Sequence, residues 1–121
     1  SNFIFQALQN KSLTVYGEGS QTRSFCYVDD LIDGLLKLME SEINSPVNIG
    51  NPNDFTILEL AKHIKNKINP ELELIFKELP QDDPIQRKPD IQKAERELGW
   101  TPKIELEEGL DKTITWFREN C

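Results

Sequence analysis

The sequence contains few residues that support nucleophilic or metal chemistry: two cysteines and one histidine among 121 residues. Cys26 and Cys121 have neither metal-ligand spacing nor the density of a disulfide framework, and neither has a basic neighbour that would activate its thiol. His63 lies within a predicted helix without a partner at ligand spacing, which indicates a solvated helix residue. We therefore expect no metal site and a reduced, cytoplasmic setting.

Positive charge is also scarce, with 14 Lys and Arg against 21 Asp and Glu and a net charge of -7. A nucleic-acid partner normally requires a basic face, so we expect none. No apolar run approaches the length of a membrane span, and the start has neither a basic leader nor a small-residue cleavage site. A small anion remains possible if a few arginines converge.

Catalytic pairs are missing as well. Tyr16 and Tyr27 could act as acids, but an activated tyrosine of a reductase needs a lysine one helical turn on, where this chain has Ser20 and Leu31. No catalytic residue is therefore predicted. The first residues place Phe3, Ile4, Ala7 and Leu8 on one helical face with no Met before them, so we expect a fragment that forms one domain over residues 1–121 with no internal boundary.

The stretch LTVYGEGSQTRSFCYVDD, residues 13–30, predicts a β-hairpin followed by a helix start. Its strands are Leu13–Tyr16 and Ser24–Val28, rich in β-branched and aromatic residues and joined by a glycine turn. Gly17-Glu18-Gly19 could instead open a dinucleotide loop. That motif needs a third glycine, where this chain has Thr22, and a helix must follow it, so we reject the alternative.

The remaining patterns alternate between helix and strand, which favours α/β architecture. A helix capped by Asp29 or Asp30 ends near Glu42, and one starting at Thr56 runs to Ile68 with capping-box spacing. The other predicted segments are strands at 46–50 and 72–79, a proline-rich loop at 80–89, a helix from Asp90 to Leu98 before Gly99, and a last helical stripe from Leu106 to Phe117.

Polar residues on separate elements form a predicted binding set: Asn2, Gln21, Arg23, Asn48 and Arg87. A guanidinium fork beside hydroxyl groups suits a phosphate, and two arginines on one diphosphate would each contribute about 1.5–3 kcal/mol. The alternative is that Arg23 is a solvated turn residue and Arg87 an exposed loop charge beside Lys88.

The stretches SNFIFQAL, LTVYGEGSQTRSFCYVDDLIDGL, PVNIGNP, FTILELA, LPQDDPIQRKPDI and LGWTPKIELEEGL resemble, in order and spacing, the C-terminal part of UDP-glucuronic acid decarboxylases (UDP-xylose synthases). These enzymes are extended short-chain dehydrogenases/reductases of the NAD-dependent epimerase/dehydratase type. The glycine turn with its arginine and Asn-Ile-Gly are shared across the superfamily, whereas the PQDDP-x-x-Arg-x-Pro-Asp loop is more specific to the decarboxylases.

The resemblance implies the substrate-binding part of a Rossmann-type fold whose NAD-binding part is missing. In this family NAD takes hydride from the sugar C4 hydroxyl, the 4-keto sugar loses CO2, and hydride return gives UDP-xylose. The glycine-rich NAD loop and the Tyr/Lys dyad would lie upstream, so the fragment alone should be inactive. The family also implies a homodimer formed through upstream helices.

The same resemblance assigns roles to individual residues. Asn2 would bond the phosphates, Gln21 the uridine, and Arg23 with Arg87 would clamp the diphosphate. The strand Leu13, Thr14, Val15 and Tyr16 would flank the uracil, and Asn48 would be a further substrate contact. A dTDP-glucose 4,6-dehydratase, a UDP-sugar 4-epimerase and a non-catalytic nucleotide-sugar-binding domain remain alternatives, and the final product could be UDP-xylose or the 4-keto pentose.

Overall fold

The computed structural model describes residues 1–121, which form four α-helices, one π-helical turn and five short strands. The chain order is α1 Asn2–Leu8, β1 Leu13–Tyr16, β2 Thr22–Ser24, α2 Val28–Glu40, β3 Asp54–Thr56, α3 Ile57–Ile68, β4 Leu74–Lys77, β5 Gln86–Arg87, the π-helical turn Ala94–Leu98, and α4 Leu106–Asn120. The α/β class expected from the alternating pattern is confirmed.

The strands lie in two separate sheets, so the predicted hairpin is wrong. β1 pairs in parallel with β4, while β2 pairs antiparallel with β3 and parallel with β5. Strand β2 ends at Ser24, and the residues that follow lead directly into α2. The partner of β1 is thus a strand from a distant part of the chain, and its inward side chains pack on helices.

The main core surrounds β1. Leu13 and Val15 have no exposed surface, as the alternation of a half-buried strand requires. They pack with buried side chains of the flanking helices, namely Ile4 and Ala7 of α1, Leu60, Ala61 and Ile64 of α3, and Leu110 and Ile114 of α4. The helical stripes predicted for these three helices therefore face the main core.

The start of α3 was predicted correctly, and the cap of α2 was not. The Thr56 hydroxyl accepts a hydrogen bond from the Glu59 amide at 3.0 Å, which caps α3. Helix α2 begins after Tyr27 and has no side-chain cap. The Asp30 carboxylate instead accepts hydrogen bonds from the Lys103 and Ile104 amides at 3.0 and 2.8 Å, so it fastens α2 to a distant loop.

A second, smaller core consists of Ile91, Ala94 and Trp100. The strand predicted at 46–50 is wrong: this segment is irregular, and Val47 and Ile49 pack against the smaller core. The helix predicted from Asp90 to Leu98 is a short helical segment that ends in the π-helical turn, where Gly99 adopts a left-handed φ of 60°.

None of the helices combines the length and the apolar composition that a membrane crossing requires.

Candidate anion-binding site

The pairing of β2 with β5 places Arg23 directly beside Arg87, although more than sixty positions separate them in the chain. Register partners on paired strands project from the same face of a sheet, so both guanidinium groups lie on one face. The proline-rich loop was predicted to have no regular structure, and this is wrong at Gln86 and Arg87, which form β5. Because this short strand exists, the two arginines become neighbours.

Both arginines line an open cavity of about 780 Å³. Its walls contain three cationic side chains and no acidic one; the lining residues are Arg23, Ser24, Phe25, Cys26, Ile49, Gly50, Asn51, Gln86, Arg87, Lys88 and Pro89. We call this space the arginine cavity. In a chain with a net charge of -7, such a concentration of cations favours an anionic ligand.

The two arginines are held very differently. The Arg23 Nη1 donates to the Thr22 carbonyl oxygen at 2.6 Å, and its Nη2 pairs with the Asp83 Oδ1 at 2.6 Å. Arg87 is exposed and takes part in none of the ion pairs of the structure. One arginine is therefore fixed before any ligand arrives, and the other remains free to adjust.

The backbone around the arginine cavity is closely packed. A Cβ atom on Gly50 would come within 3.0 Å of the Pro89 ring, so a side chain there would press on the cavity wall. The Ser24 hydroxyl donates to the Arg87 carbonyl oxygen at 3.3 Å and adds a tie between β2 and β5. A side chain at position 50 and loss of the Ser24 hydroxyl would therefore each disturb the wall of the arginine cavity.

The thiol of Cys26 also lines this cavity. Burial raises the pKa of the Cys26 thiol above its ordinary value, and the charge of Asp30 raises it further. The neutral thiol is consistent with the sequence-based expectation that no cysteine acts as a nucleophile.

A second cavity, of about 280 Å³, collects three other predicted residues. Asn2, Thr14 and Tyr16 line it together with Phe5, Gln6 and Lys77. The Gln6 amide donates to the Thr14 hydroxyl at 3.1 Å, and its carbonyl oxygen accepts from the Thr14 amide at 3.2 Å. The sequence analysis missed Gln6, although it lies one helical turn after Asn2 and therefore on the same face of α1. We call this space the strand cavity.

The other predicted residues have positions that restrict what they can do. The side chains of Leu13 and Val15 are fully buried in the main core, so only their backbone could contact a ligand. Gln21 is 7% exposed and donates to the Tyr16 carbonyl oxygen at 3.2 Å, which links β1 to the start of β2. Asn48 lines neither of the two cavities, and its amide donates to the Asp90 carbonyl oxygen at 3.3 Å.

Sequence reasoning also missed Lys88, Asn51 and Asp83. Lys88 follows Arg87 directly and was considered only as a solvated neighbour, whereas it lines the arginine cavity. Asn51 belongs to the irregular segment after Ile49, and its carboxamide oxygen accepts from the Asn53 amide at 2.9 Å. A carboxylate among the loop residues was visible in the sequence, but nothing there indicated that Asp83 would reach Arg23.

The fold that carries this site is part of the Rossmann-type α/β fold of epimerases and dehydratases. The structure of UDP-glucose 4-epimerase from Thermotoga maritima with UDP-glucose is similar, with a TM-score of 0.92 and 33% identity over 97% of this chain and 38% of that chain. The structure of UDP-glucuronic acid 4-epimerase from Bacillus cereus, in complex with UDP-glucuronic acid and NAD, has a TM-score of 0.90 and is 30% identical over 98% of this chain and 38% of that chain.

Residues 1–113 match the family model of GDP-mannose 4,6 dehydratase, and the chain belongs to this family of extended short-chain dehydrogenases/reductases. Among curated relatives, UDP-glucuronic acid decarboxylase 5 of Arabidopsis thaliana is 57% identical over 98% of this chain and 35% of its own length. UDP-glucuronic acid decarboxylase 1 of Danio rerio is 57% identical over 97% of this chain and 28% of its own length. The resemblance to the decarboxylases is thus confirmed, and the chain spans about a third of the length of these relatives.

Proposed function

We propose that residues 1–121 form the C-terminal nucleotide-sugar-binding domain of an NAD-dependent UDP-glucuronate decarboxylase, which converts UDP-glucuronate to UDP-xylose and CO2 through a 4-keto intermediate. One observation carries the proposal: Arg23 and Arg87 lie side by side in a cavity that has three cations and no acidic wall residue. A diphosphate is the part of a nucleotide sugar that such a site would recognise.

The arginine cavity would hold the diphosphate between the fixed Arg23 and the adjustable Arg87. Each guanidinium would contribute charge-assisted hydrogen bonds of about 1.5–3 kcal/mol, and Lys88 would add a further positive charge. Binding the diphosphate in this way would position the sugar for chemistry elsewhere in the protein. Loss of either arginine would therefore reduce turnover as well as affinity.

The strand cavity would receive the uridine end. Asn2, Thr14 and Tyr16 offer side chains there, while Leu13 and Val15 can contribute only backbone groups because their side chains are buried. Asn2 does not line the arginine cavity, so we place it at the uridine end and not at the phosphates, where the resemblance had put it. Gln21 would act through the spacing of β1 and β2 that its amide maintains. Asn48 is left out of the proposed contacts, since it lines neither of these cavities and its amide is engaged by Asp90.

The residues of this chain do not fit NAD. The Gly17–Gly19 turn leads into β2 and not into a helix, so it lacks the helix N-terminus that a dinucleotide pyrophosphate requires. The proposal therefore assigns NAD and the Tyr/Lys dyad to protein outside residues 1–121, and the chain alone should be inactive. The resemblance to the family supports a homodimer formed through helices outside this chain, while the proposed cytoplasmic setting rests only on the two unpaired cysteines, Cys26 and Cys121.

The test uses the full-length protein and calorimetric titration with UDP. Arg23→Ala and Arg87→Ala should each weaken UDP binding by about tenfold or more, the equivalent of the charge-assisted bonds that each variant removes. Arg118→Ala is the matched control, because this exposed arginine of α4 lies outside both cavities. Unchanged UDP affinity in both cavity variants would refute the diphosphate clamp.

A sugar 4-epimerase is the second candidate, because two similar structures at 30–33% identity are 4-epimerases. Product analysis of the full-length protein with UDP-glucuronate separates the candidates: a decarboxylase releases CO2 and a UDP-pentose, while an epimerase returns a UDP-hexuronate. Binding of UDP-glucuronate without any turnover would indicate a non-catalytic nucleotide-sugar-binding protein.

A further inference from the structure

Asp83 is an acidic residue that contacts Arg23 of the candidate site without lining the arginine cavity itself. Its carboxylate pairs with the Arg23 Nη2 at 2.6 Å. Both partners are partly buried, with 18% of the Arg23 side chain and 28% of the Asp83 side chain exposed. A shielded pair of this kind is weakened less by solvent and salt than a pair on the open surface.

The Arg23 guanidinium has two anchors, the Thr22 carbonyl oxygen on Nη1 and Asp83 on Nη2. Because the guanidinium is planar and rigid, two anchors on different nitrogens fix the orientation of its plane. An arginine has five N–H donors, so the two anchors leave the Nε–H and further Nη hydrogens available to a ligand. Arg23 is therefore oriented by its two anchors and still has N–H groups available to bind a ligand.

The same ion pair acts on the segment that carries Arg87. Asp83 precedes β5, and the Thr22 amide donates to the Ile85 carbonyl oxygen at 2.8 Å. Asp83 on one side and the β2–β5 pairing on the other thus attach the segment between them to β2. Without the Asp83 carboxylate, two like charges on neighbouring strands would repel each other with no compensation.

We propose that Asp83 is a positioning residue that preorganises Arg23 for the diphosphate of the ligand. This inference rests on the function proposed above. Its physical basis is that an arginine already ordered before binding loses less side-chain entropy when the ligand arrives. The effect is opposite in sign to simple electrostatics, since removing a negative charge near an anion site would by itself strengthen anion binding.

The experiment compares Asp83→Asn with Asp82→Asn in the full-length protein. Both variants remove one negative charge from adjacent positions, but Asp82 is exposed and makes no hydrogen bond or ion pair. Calorimetric titration with UDP should show binding about three- to tenfold weaker for Asp83→Asn and within about twofold of wild type for Asp82→Asn.

Three further measurements separate positioning of Arg23 from general support of the loop. Uridine lacks phosphates, so its affinity should be unchanged in Asp83→Asn. Asp83→Glu keeps the carboxylate and should recover most of the UDP affinity. In an Arg23→Ala background, Asp83→Asn should have no additional effect on UDP, because the two residues act through one contact.

Each contrary result overturns the inference. Tighter UDP binding by Asp83→Asn would mean that the carboxylate competes with the ligand, and an equal loss for UDP and uridine would mean that the loop has collapsed. If wild type binds UDP but Asp83→Asn matches Asp82→Asn, only the positioning role fails. If wild type does not bind UDP, the proposed function fails and the inference fails with it.

Discussion

Helices α2 and α3 have nearly the same length, 13 and 12 residues, and opposite orientations toward the fold. Helix α3 buries its apolar stripe, with Leu60, Ala61 and Ile64 in the main core. Helix α2 buries Asp30 and Gly34 and exposes its apolar side chains: Val28, Leu31, Ile32, Leu35, Leu36 and Met39. An amphipathic sequence thus identifies the apolar face of a helix, but not whether the same chain covers that face.

The two helices are attached by different forces. Helix α3 is held by apolar burial, whereas α2 is held by close backbone approach and hydrogen bonds. A Cβ atom on Gly34 would lie 2.7 Å from the Ile49 Cγ2, and the Trp100 Nε1 donates to the Asp30 carbonyl oxygen at 3.0 Å. The attachment of α2 should therefore depend on a few specific groups, while that of α3 is distributed over many.

The largest loss of stability is expected for Trp100→Ala in the 121-residue chain. Trp100 has no exposed surface and is the largest residue under α2, so its removal should cost about 3–5 kcal/mol of unfolding free energy. Urea denaturation followed by circular dichroism measures the loss. Trp116→Ala is the control, because that side chain is 55% exposed and its removal should cost far less. Equal losses for both tryptophans would contradict the described packing.

Asp30→Ala should have the next largest effect, about 1–3 kcal/mol, because it leaves the Lys103 and Ile104 amides without their acceptor. Asp29→Ala is the matched control for Asp30→Ala, because Asp29 is exposed and lies in the same first turn of α2. The same denaturation experiment compares the two variants. A larger loss for Asp29→Ala would show that helix-terminal charge, and not the tie to the loop, holds α2.

On the α3 side, Glu107→Gln should cost less than about 1 kcal/mol, because its ion pair with Lys67 and its contact with the His63 ring are at the surface. The hydrogen bond from Lys67 lowers the pKa of Glu107, and the bonds to Asp111 and then Glu107 raise the pKa of Lys67. A depressed acid pKa gives stability that is lost as pH falls below the ordinary value of 4.5, and a raised lysine pKa gives stability that is lost as pH rises above 10.5.

The stability contributed by this network should therefore be greatest between those limits. Added salt should reduce the difference between wild type and Glu107→Gln when unfolding is measured near neutral pH. A difference that stays constant in high salt would show that Glu107 acts by packing and not by charge.

The smallest expected change in stability comes from the exposed stripe of α2. Leu36→Lys combined with Met39→Lys should alter the unfolding free energy by no more than about 0.5 kcal/mol, because both side chains are exposed, Met39 by 78%. The same variant should reduce self-association of the 121-residue chain in analytical ultracentrifugation. Ile64→Lys is the contrast on α3 and should unfold the chain, since Ile64 is buried in the main core.

Local rules predicted the helices well and the strand pairing poorly. The Thr56 cap and the stripe from Ile57 to Ile68 are encoded within one segment, and the structure confirms both. The partner of β1 is β4, some sixty positions away, and no local pattern distinguishes that pairing from a hairpin. The role of Asp30 escaped prediction for the same reason, because its hydrogen-bond donors come from a remote loop.

The candidate site shows the same division. Residue type left Arg23 and Arg87 either as phosphate ligands or as exposed charges, the family resemblance favoured the first, and the structure places the two side by side. Sequence reasoning did not predict the separation into two cavities, the burial of Leu13 and Val15, or the contact between Asp83 and Arg23. These features depend on tertiary packing, which residue patterns do not contain.

The brevity of β5 has a thermodynamic consequence. This strand has only two residues, so Arg87 stays beside β2 through a short pairing, the hydrogen bond from the Ser24 hydroxyl and the ion pair of Asp83 with Arg23. A ligand that binds both guanidinium groups would bridge β5 and β2. Its binding free energy would then be coupled to the local order of residues 80–89. Sequence changes in that segment could thus tune affinity without touching the bound molecule.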